Sequence, residues 1–126
     1  MEDSELIQMA SEALAHAYAP YSKYRVGACA STPEGRAFSG CNVENSSFGL
    51  TICAERAAIF AAVGQGHKKI DRVVIVGEKA DRSPYPCGAC LQVMSEFAVR
   101  TVIVGTLGGA FKTYDLGDLL PRPFKF

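Results

Sequence analysis

The chain has 126 residues, and its 13 lysines and arginines balance 13 aspartates and glutamates. This length suits a protein that buries its own core, so we expect a single domain over residues 1–126. The balanced charge argues against a nucleic-acid partner, and no apolar run is long enough to suggest a membrane protein. Residues 1–5 lack the basic start of a signal peptide, so we expect a cytoplasmic protein.

The first half of the chain predicts a helix, a β-hairpin and a second helix. Apolar residues at helical spacing indicate the first helix, with Ser4 or Asp3 as its cap. Turn-forming residues between the next two apolar runs indicate the hairpin. An irregular polar segment then leads into an alanine-rich second helix. These elements are predicted over residues 5–18, 26–31, 36–42 and 53–63.

The second half predicts a buried strand, a helix, two further strands and a short final helix. Only four residues separate the last two strands, too few for a parallel crossover, so these strands should pair antiparallel. Helices that alternate with strands predict an α/β fold, with a mixed five-stranded sheet in a three-layer α/β/α arrangement. These elements are predicted over residues 71–77, 88–97, 101–105, 110–114 and 115–120.

The five cysteines are an odd number, which favours a metal site or thiol chemistry over a disulfide scaffold. Cys87 and Cys90 form a Cys-x-x-Cys pair at the start of a predicted helix, where residues three apart lie on the same side. Cys53 begins another predicted helix, so two helix starts lying side by side would bring three sulfurs to one point. Cys29 and Cys41 fall in predicted strands, and we interpret both as core residues.

Three protein ligands with an open fourth position are typical of a catalytic zinc site. Glu55 follows Cys53 by two residues and would reach a water in that position. Hydrolytic deamination of a cytosine ring needs this pair, because zinc lowers the pKa of water to about 7 and a carboxylate moves the proton. Cys-x-Glu followed by Pro-Cys-x-x-Cys is the general signature of zinc deaminases. Arg56 is predicted to donate hydrogen bonds to the sulfurs and offset their charge.

With these motifs the chain resembles the small cytidine deaminases that act on free nucleosides. The resemblance implies a cytidine-deaminase-like fold and one Zn²⁺ per chain. It also implies hydrolysis of cytidine and/or deoxycytidine to uridine or deoxyuridine in pyrimidine salvage. The segments that carry the resemblance are Ala19-Pro20-Tyr21-Ser22-Lys23-Tyr24, Val26-Gly27-Ala28, Gly40-Cys41-Asn42-Val43-Glu44-Asn45, Cys53-Ala54-Glu55-Arg56 and Pro86-Cys87-Gly88-Ala89-Cys90.

The resemblance further implies how a pyrimidine nucleoside is held. Asn42 and Glu44 match the residues that bind the ribose hydroxyls, Tyr24 matches an aromatic residue against the substrate, and the backbone of Ala54 contacts the base. The family is typically a homotetramer with shared active sites, in which Phe124 would stack on the base from another subunit. The antiparallel final hairpin agrees with this class, since deaminases that edit polynucleotides tend to have parallel last strands.

Two positions depart from the usual family pattern and leave alternatives open. Leu91 replaces an arginine after the last zinc cysteine, and Tyr85 replaces a serine before Pro-Cys. The alternatives are a deaminase of a modified cytosine nucleoside of the antibiotic type and a zinc-binding homologue with little turnover. For Phe124, packing against its own domain is the alternative to a role in a neighbouring active site.

Overall fold

The computed structural model describes residues 1–126 and contains one sheet of five strands. The strand order is β2-β1-β3-β4-β5; β3 and β4 run parallel, and all other neighbours are antiparallel. The predicted mixed sheet with an antiparallel last pair is therefore confirmed. The elements are α1 (Asp3–Leu14), β1 (Val26–Ser31), β2 (Ala37–Cys41), α2 (Ala54–Gly64), β3 (Arg72–Gly77), α3 (Gly88–Glu96), β4 (Thr101–Thr106), β5 (Phe111–Asp115) and α4 (Leu116–Leu119).

Alternate residues of the central strands face two separate cores. Val73 and Ile75 of β3 pack with residues of α2 and α3 on one face of the sheet. Val74 and Val76 pack with α1 on the opposite face. Side chains of a strand alternate between faces, so a strand apolar at every position needs a cover on both sides. This confirms the three-layer α/β/α arrangement. None of the helices combines the length and apolarity needed to span a bilayer.

Two glycines allow helices on opposite faces to approach the backbone of the β1–β2 hairpin closely. A Cβ at Gly27 would collide with the main-chain carbonyl oxygen of Ala10 in α1. A Cβ at Gly40 would lie 2.5 Å from the amide nitrogen of Ala58 and 2.9 Å from the carbonyl oxygen of Ala54 in α2. Helix α2, which carries part of the site described below, therefore lies directly on the main chain of β2.

The sequence prediction agrees with the observed elements to within one residue at each end, except for α1. Neither Ser4 nor Asp3 caps α1, because the helix begins at Asp3, whose carboxylate accepts a hydrogen bond from Arg72 at 2.7 Å. The helix also ends before its predicted limit. The N–H of Tyr18 donates to the carbonyl oxygen of Asn42 at 3.0 Å, so this part of the chain pairs with another loop.

Helix α3 ends in a Schellman motif that places a residue with a side chain in the left-handed region. Ala98 has φ +62°, its N–H donates to the carbonyl of Ser95, and the N–H of Val99 donates to the carbonyl of Met94. Replacing Ala98 with glycine should raise the free energy of unfolding by about 0.5–1 kcal/mol, because glycine adopts this φ without steric cost. Urea denaturation measures the change.

The matched control is Ala61→Gly, at an exposed position inside α2. There glycine should lower the free energy of unfolding by about 0.5–1 kcal/mol, because a helix interior gains nothing from access to positive φ. Equal destabilisation by both substitutions would contradict the predicted effect at Ala98.

Candidate metal centre and active site

The sulfurs of three cysteines meet where α2 and α3 begin. Cys53 and Cys87 occupy the N-cap positions of these helices, and neither side chain caps its own helix. Cys90 lies one turn inside α3 and is fully buried. All three sulfurs lie within 4.8 Å of one another, so the two helix starts bring the thiols together as the sequence predicts.

The spacing of these sulfurs fits a tetrahedral zinc ion. The Cys53 and Cys87 sulfurs are 4.0 Å apart, and the Cys87 and Cys90 sulfurs are 3.6 Å apart. Zn–S bonds of about 2.3 Å at tetrahedral angles separate two sulfurs by about 3.8 Å. Three thiols supply three of the usual four ligands, which leaves one position for a water or a substrate atom.

Arg56 is the cation in contact with the cysteine cluster. Its guanidinium donates a hydrogen bond to the sulfur of Cys53 at 3.4 Å, while its Nε is buried without a partner. A hydrogen bond from Cys90, opposed by burial and assisted by Arg56, lowers the pKa of Cys53 to about 5. The same hydrogen bond, with burial, raises the pKa of Cys90. Of these two thiols Cys53 is therefore the more acidic, and it lies beside the guanidinium.

Glu55 brings a buried carboxyl group beside the sulfurs. It lies in the first turn of α2 and is only 5 % exposed. Burial raises the pKa of Glu55 to about 7, and the negative charge on Cys53 adds to the rise. A carboxyl group with a pKa near neutrality can both accept and return a proton, which a general acid–base group must do.

A cavity of about 270 Å³ joins the cysteine cluster to a polar loop region. The start of α2 and the residue before α3 contribute Cys53, Glu55 and Cys87 to its lining, and the segment after β2 contributes Asn42 and Glu44. The sequence-predicted residues therefore lie around one space, except for three. Cys90 lies beneath the cavity in the cluster, and Arg56 and Phe124 are not part of its wall. The lining residues are Ser22, Tyr24, Val26, Asn42, Glu44, Thr51, Cys53, Ala54, Glu55, Pro84, Tyr85 and Cys87.

Glu44 is held by the turn that precedes β1. Its Oε1 accepts hydrogen bonds from the N–H groups of Tyr21, at 2.9 Å, and Ser22, at 3.1 Å. Its Oε2 accepts the hydroxyl hydrogen of Ser22. Desolvation opposes ionisation, but the hydrogen bonds from Ser22 and Tyr21 outweigh it and hold the pKa of Glu44 below its ordinary value. The carboxylate is thus charged and oriented by its own chain.

Asn42 is also fixed by the backbone. Its Oδ1 accepts from the N–H of Val26 at 2.9 Å, and its Nδ2 donates to the carbonyl oxygen of Tyr24 at 3.0 Å. These bonds use one donor hydrogen and one lone pair, so one of each stays free. Asn42 can therefore hold the start of β1 and still contribute a hydrogen bond to a ligand.

The aromatic residues near the cavity are anchored by partners outside it. Tyr24 is buried, and its hydroxyl donates to the carbonyl oxygen of Arg82. Tyr85 is 60 % exposed, and its hydroxyl is 3.2 Å from that of Tyr114 on β5. Leu91 belongs to α3 and is buried in the core on the α2 and α3 side of the sheet, so its side chain packs against apolar neighbours. The cavity is consequently walled by two phenols, and position 91 adds no charge to it.

Phe124 lies outside the cavity of its own chain. Its side chain is 74 % exposed, so it does not pack against its own domain. Its backbone N–H and carbonyl both pair with the side chain of Gln92 on α3, at 3.2 and 2.9 Å. The C-terminal segment is thereby fixed along α3 with the aromatic ring directed away from the core.

Cys29 and Cys41, both predicted to be core residues, differ in their burial. Cys29 is fully buried in the core under α1, as predicted. Cys41 was expected in the core as well, but it lies at the end of the edge strand β2 and is only half-buried. Neither belongs to the sulfur cluster.

Sequence reasoning did not assign to the site four further residues that line the cavity, namely Ser22, Val26, Thr51 and Pro84. The only available signal for Ser22 was its place inside a segment that carries the family resemblance. Its contact with Glu44 joins residues 22 positions apart, and no local pattern indicates such a pair.

Residues 1–106 match the family described as the cytidine and deoxycytidylate deaminase zinc-binding region. The chain belongs to this zinc-binding deaminase family. Family membership and the sulfur spacing agree, so the cluster of Cys53, Cys87 and Cys90 is a centre positioned to bind zinc. Glu55, in the first turn of α2, is the acidic residue of the deaminase signature.

Named relatives support membership of the deaminase family over nearly the whole chain. The cytidine deaminase of Halalkalibacterium halodurans is 40 % identical over 126 residues, covering 98 % of this chain and 95 % of the relative. The crystal structure of cytidine deaminase from Burkholderia pseudomallei superposes with a TM-score of 0.91 at 42 % identity, covering 98 % of this chain and 100 % of that chain. The blasticidin-S deaminase of Bacillus cereus is 31 % identical over 130 aligned positions, covering 98 % and 92 %.

Proposed function

We propose that the protein hydrolyses cytidine and/or deoxycytidine to uridine or deoxyuridine and ammonia, with residues 1–126 acting as one catalytic domain. The observation that carries the proposal is the cavity: two of the three clustered sulfurs and the buried Glu55 line it together with Asn42 and Glu44. Relatives named as cytidine deaminases support the substrate class. The reaction consumes one water for each amino group released.

In this proposal Glu55 is the proton carrier. When bound, zinc supplies the nucleophile by lowering the pKa of a coordinated water to about 7. Glu55 would accept one proton from the attacking water and deliver it to the ring nitrogen next to the attacked carbon. A second proton, from the hydroxyl group added to that carbon, would pass through Glu55 to the departing amine as the carbonyl forms. Burial raises the pKa of Glu55 to about 7, so this carboxyl group can both accept and donate a proton near neutral pH.

The remaining cavity residues would orient the nucleoside. Free hydrogen-bonding capacity on Asn42 and the oriented carboxylate of Glu44 suit a sugar diol. Tyr24 is a buried aromatic residue in the cavity wall, and Ala54 also lines the cavity, where its backbone would contact the base. A pyrimidine nucleoside therefore spans the cavity, with its sugar at the loops and its amino group at the metal.

Arg56 is proposed to balance the charge of three thiolates around one divalent ion. Substitution of Arg56 by glutamine should weaken zinc binding by about 10- to 100-fold, the usual effect of losing a partner that hydrogen-bonds to a metal ligand. Competition with a zinc-binding dye measures the affinity. Arg122→Gln, near the C-terminus and not in contact with the sulfurs, serves as the control. Equal zinc affinity in Arg56→Gln and the wild type would contradict the proposed role.

We also propose a cytoplasmic homotetramer in which Phe124 completes the active site of a neighbouring chain. The exposed phenylalanine ring and its rigid attachment to α3 support this assignment. Sedimentation analysis should give four chains per particle, and Phe124→Ala should lower kcat/KM for cytidine. A fully active monomer would contradict both statements.

The proposed function is tested by measuring zinc content and by following the loss of cytidine absorbance together with the release of ammonia. Cytidine, deoxycytidine and blasticidin S are compared as substrates, because the relative from Bacillus cereus is named for the last. Turnover of cytidine or deoxycytidine supports the proposal. A zinc-loaded protein that acts only on blasticidin S, or on none of the three, overturns it.

A further inference from the structure

We propose that Ser22 is a positioning residue that sets recognition of the ribose hydroxyls through Glu44, an inference that rests on the proposed nucleoside deamination. Ser22 lies at the sugar end of the cavity and lines it beside Glu44. It is not among the three cysteines of the metal cluster, and its hydroxyl contacts Glu44 and the backbone of Tyr24. Ser22 would act by fixing the orientation of the Glu44 carboxylate that meets the sugar.

Ser22 and its neighbour Tyr21 occupy most of the hydrogen-bonding capacity of the Glu44 carboxylate. Ser22 donates twice, from its hydroxyl to Oε2 and from its N–H to Oε1 at 3.1 Å, and Tyr21 adds a third donor at 2.9 Å. A carboxylate offers about four acceptor sites, so three are filled by the chain itself. A sugar hydroxyl must therefore meet Glu44 in the one direction left open.

Ser22 also links the side chain of Glu44 to that of Asn42. The hydroxyl oxygen of Ser22 accepts from the N–H of Tyr24 at 3.1 Å, and the carbonyl of Tyr24 accepts from Nδ2 of Asn42 at 3.0 Å. The two residues proposed to bind the sugar are thus joined by one continuous hydrogen-bond path. This path couples the orientations of the two side chains, and the Ser22 hydroxyl is the only side-chain group within it that belongs to neither residue.

The backbone between these bonds has an uncommon conformation at Lys23. Lys23 has φ +58°, a conformation that non-glycine residues rarely adopt. The turn must be held in this conformation by its surroundings, and bonds from Ser22 on one side and Tyr24 on the other do so. Removing the Ser22 hydroxyl would therefore loosen the turn and leave the carboxylate held through Oε1 alone.

A merely structural role makes a different prediction. If Ser22 only stabilises the turn, its loss lowers the melting temperature and leaves the preference for sugar hydroxyls unchanged. A positioning role alters that preference, because the carboxylate no longer points in one direction. The two roles are separated by comparing ligands with and without the ring hydroxyls.

The experiment compares wild type, Ser22→Ala, Ser22→Thr and Ser11→Ala in zinc-loaded protein, with cytidine and 2′,3′-dideoxycytidine as substrates. Ser11 is a partly buried serine of α1 whose hydroxyl donates to the carbonyl of Ile7, away from the cavity. In Ser22→Ala the preference for cytidine should fall about tenfold, with KM rising and kcat within about twofold. Ser22→Thr keeps the hydroxyl and should restore the preference, and Ser11→Ala should match the wild type.

Calorimetric titration with uridine and 2′,3′-dideoxyuridine provides the same comparison without turnover. A wild type that binds both nucleosides equally, or a Ser22→Ala variant with an unchanged preference, overturns the inference. Absence of cytidine turnover, with a uridine preference that depends on Ser22, would remove the proposed reaction and leave the positioning role standing. The two failures are therefore distinguishable.

Discussion

Replacing Glu55 with glutamine is expected to lower kcat for cytidine by about 10²- to 10⁴-fold, the usual contribution of a general acid–base group. Glutamine has nearly the same shape, so the first turn of α2 should be preserved, but an amide cannot carry a proton. Glu55 is buried and its charged form is disfavoured there, so the neutral substitute should not lower stability. Initial rates from the fall in cytidine absorbance give kcat, and elemental analysis gives zinc per chain.

The control for Glu55→Gln is Glu96→Gln, an exposed residue at the end of α3. Glu96→Gln should keep wild-type turnover and zinc. Loss of activity in Glu55→Gln with wild-type zinc content would assign the proton transfers to Glu55. A variant that retains zinc and turns over cytidine within about threefold of wild type would remove Glu55 from the mechanism.

Replacing Cys90 with alanine is expected to abolish tight zinc binding. A full protein site contributes about 10–16 kcal/mol to zinc binding, so one sulfur of the set accounts for about 3 kcal/mol or more, at least a hundredfold in affinity. Deamination should be lost together with the metal. The wild type should melt at a higher temperature with zinc than without it, because an ion that binds only the folded state stabilises it. Cys90→Ala should show no such difference.

Cys41→Ala is the matched control, since Cys41 is a half-buried thiol outside the cluster. It should keep the zinc-dependent rise in melting temperature and the wild-type turnover. An unchanged zinc response in Cys90→Ala would mean that the metal binds elsewhere. A lost response in Cys41→Ala would mean that thiol removal in general, and not removal of a ligand, causes the effect.

The reacting end of the cavity could be predicted because its information is local. Cys87 and Cys90 are one helical turn apart, and Glu55 follows Cys53 by two residues, so each fragment of the site lies within one helix start. Joining the fragments required only that the two helices lie side by side. The short connection between the last strands likewise determined their antiparallel pairing.

The sugar end could not be predicted in the same way, because its contacts join distant parts of the chain. Ser22 reaches Glu44, and Asn42 reaches the backbone of Val26, only after the hairpin and the preceding turn have packed together. A contact between distant residues also accompanies the early end of α1, since the backbone of Tyr18 forms hydrogen bonds with Asn42 and Glu44. Residue propensities describe neither event. Only the family resemblance pointed to these residues before the structure did.

The close approach at Gly40 has a consequence for how the deaminase site tolerates change. Helix α2 carries Cys53 and Glu55 and lies on the main chain of β2 with no side chain between them. Main-chain contacts compress very little, so the sulfur spacing depends on the rigidity of the sheet. A single added methyl group at position 40 would therefore push α2, and with it Cys53 and Glu55, away from the sheet. The geometry of the metal site therefore restricts which residues position 40 of the edge strand can carry, although this strand contributes no metal ligand.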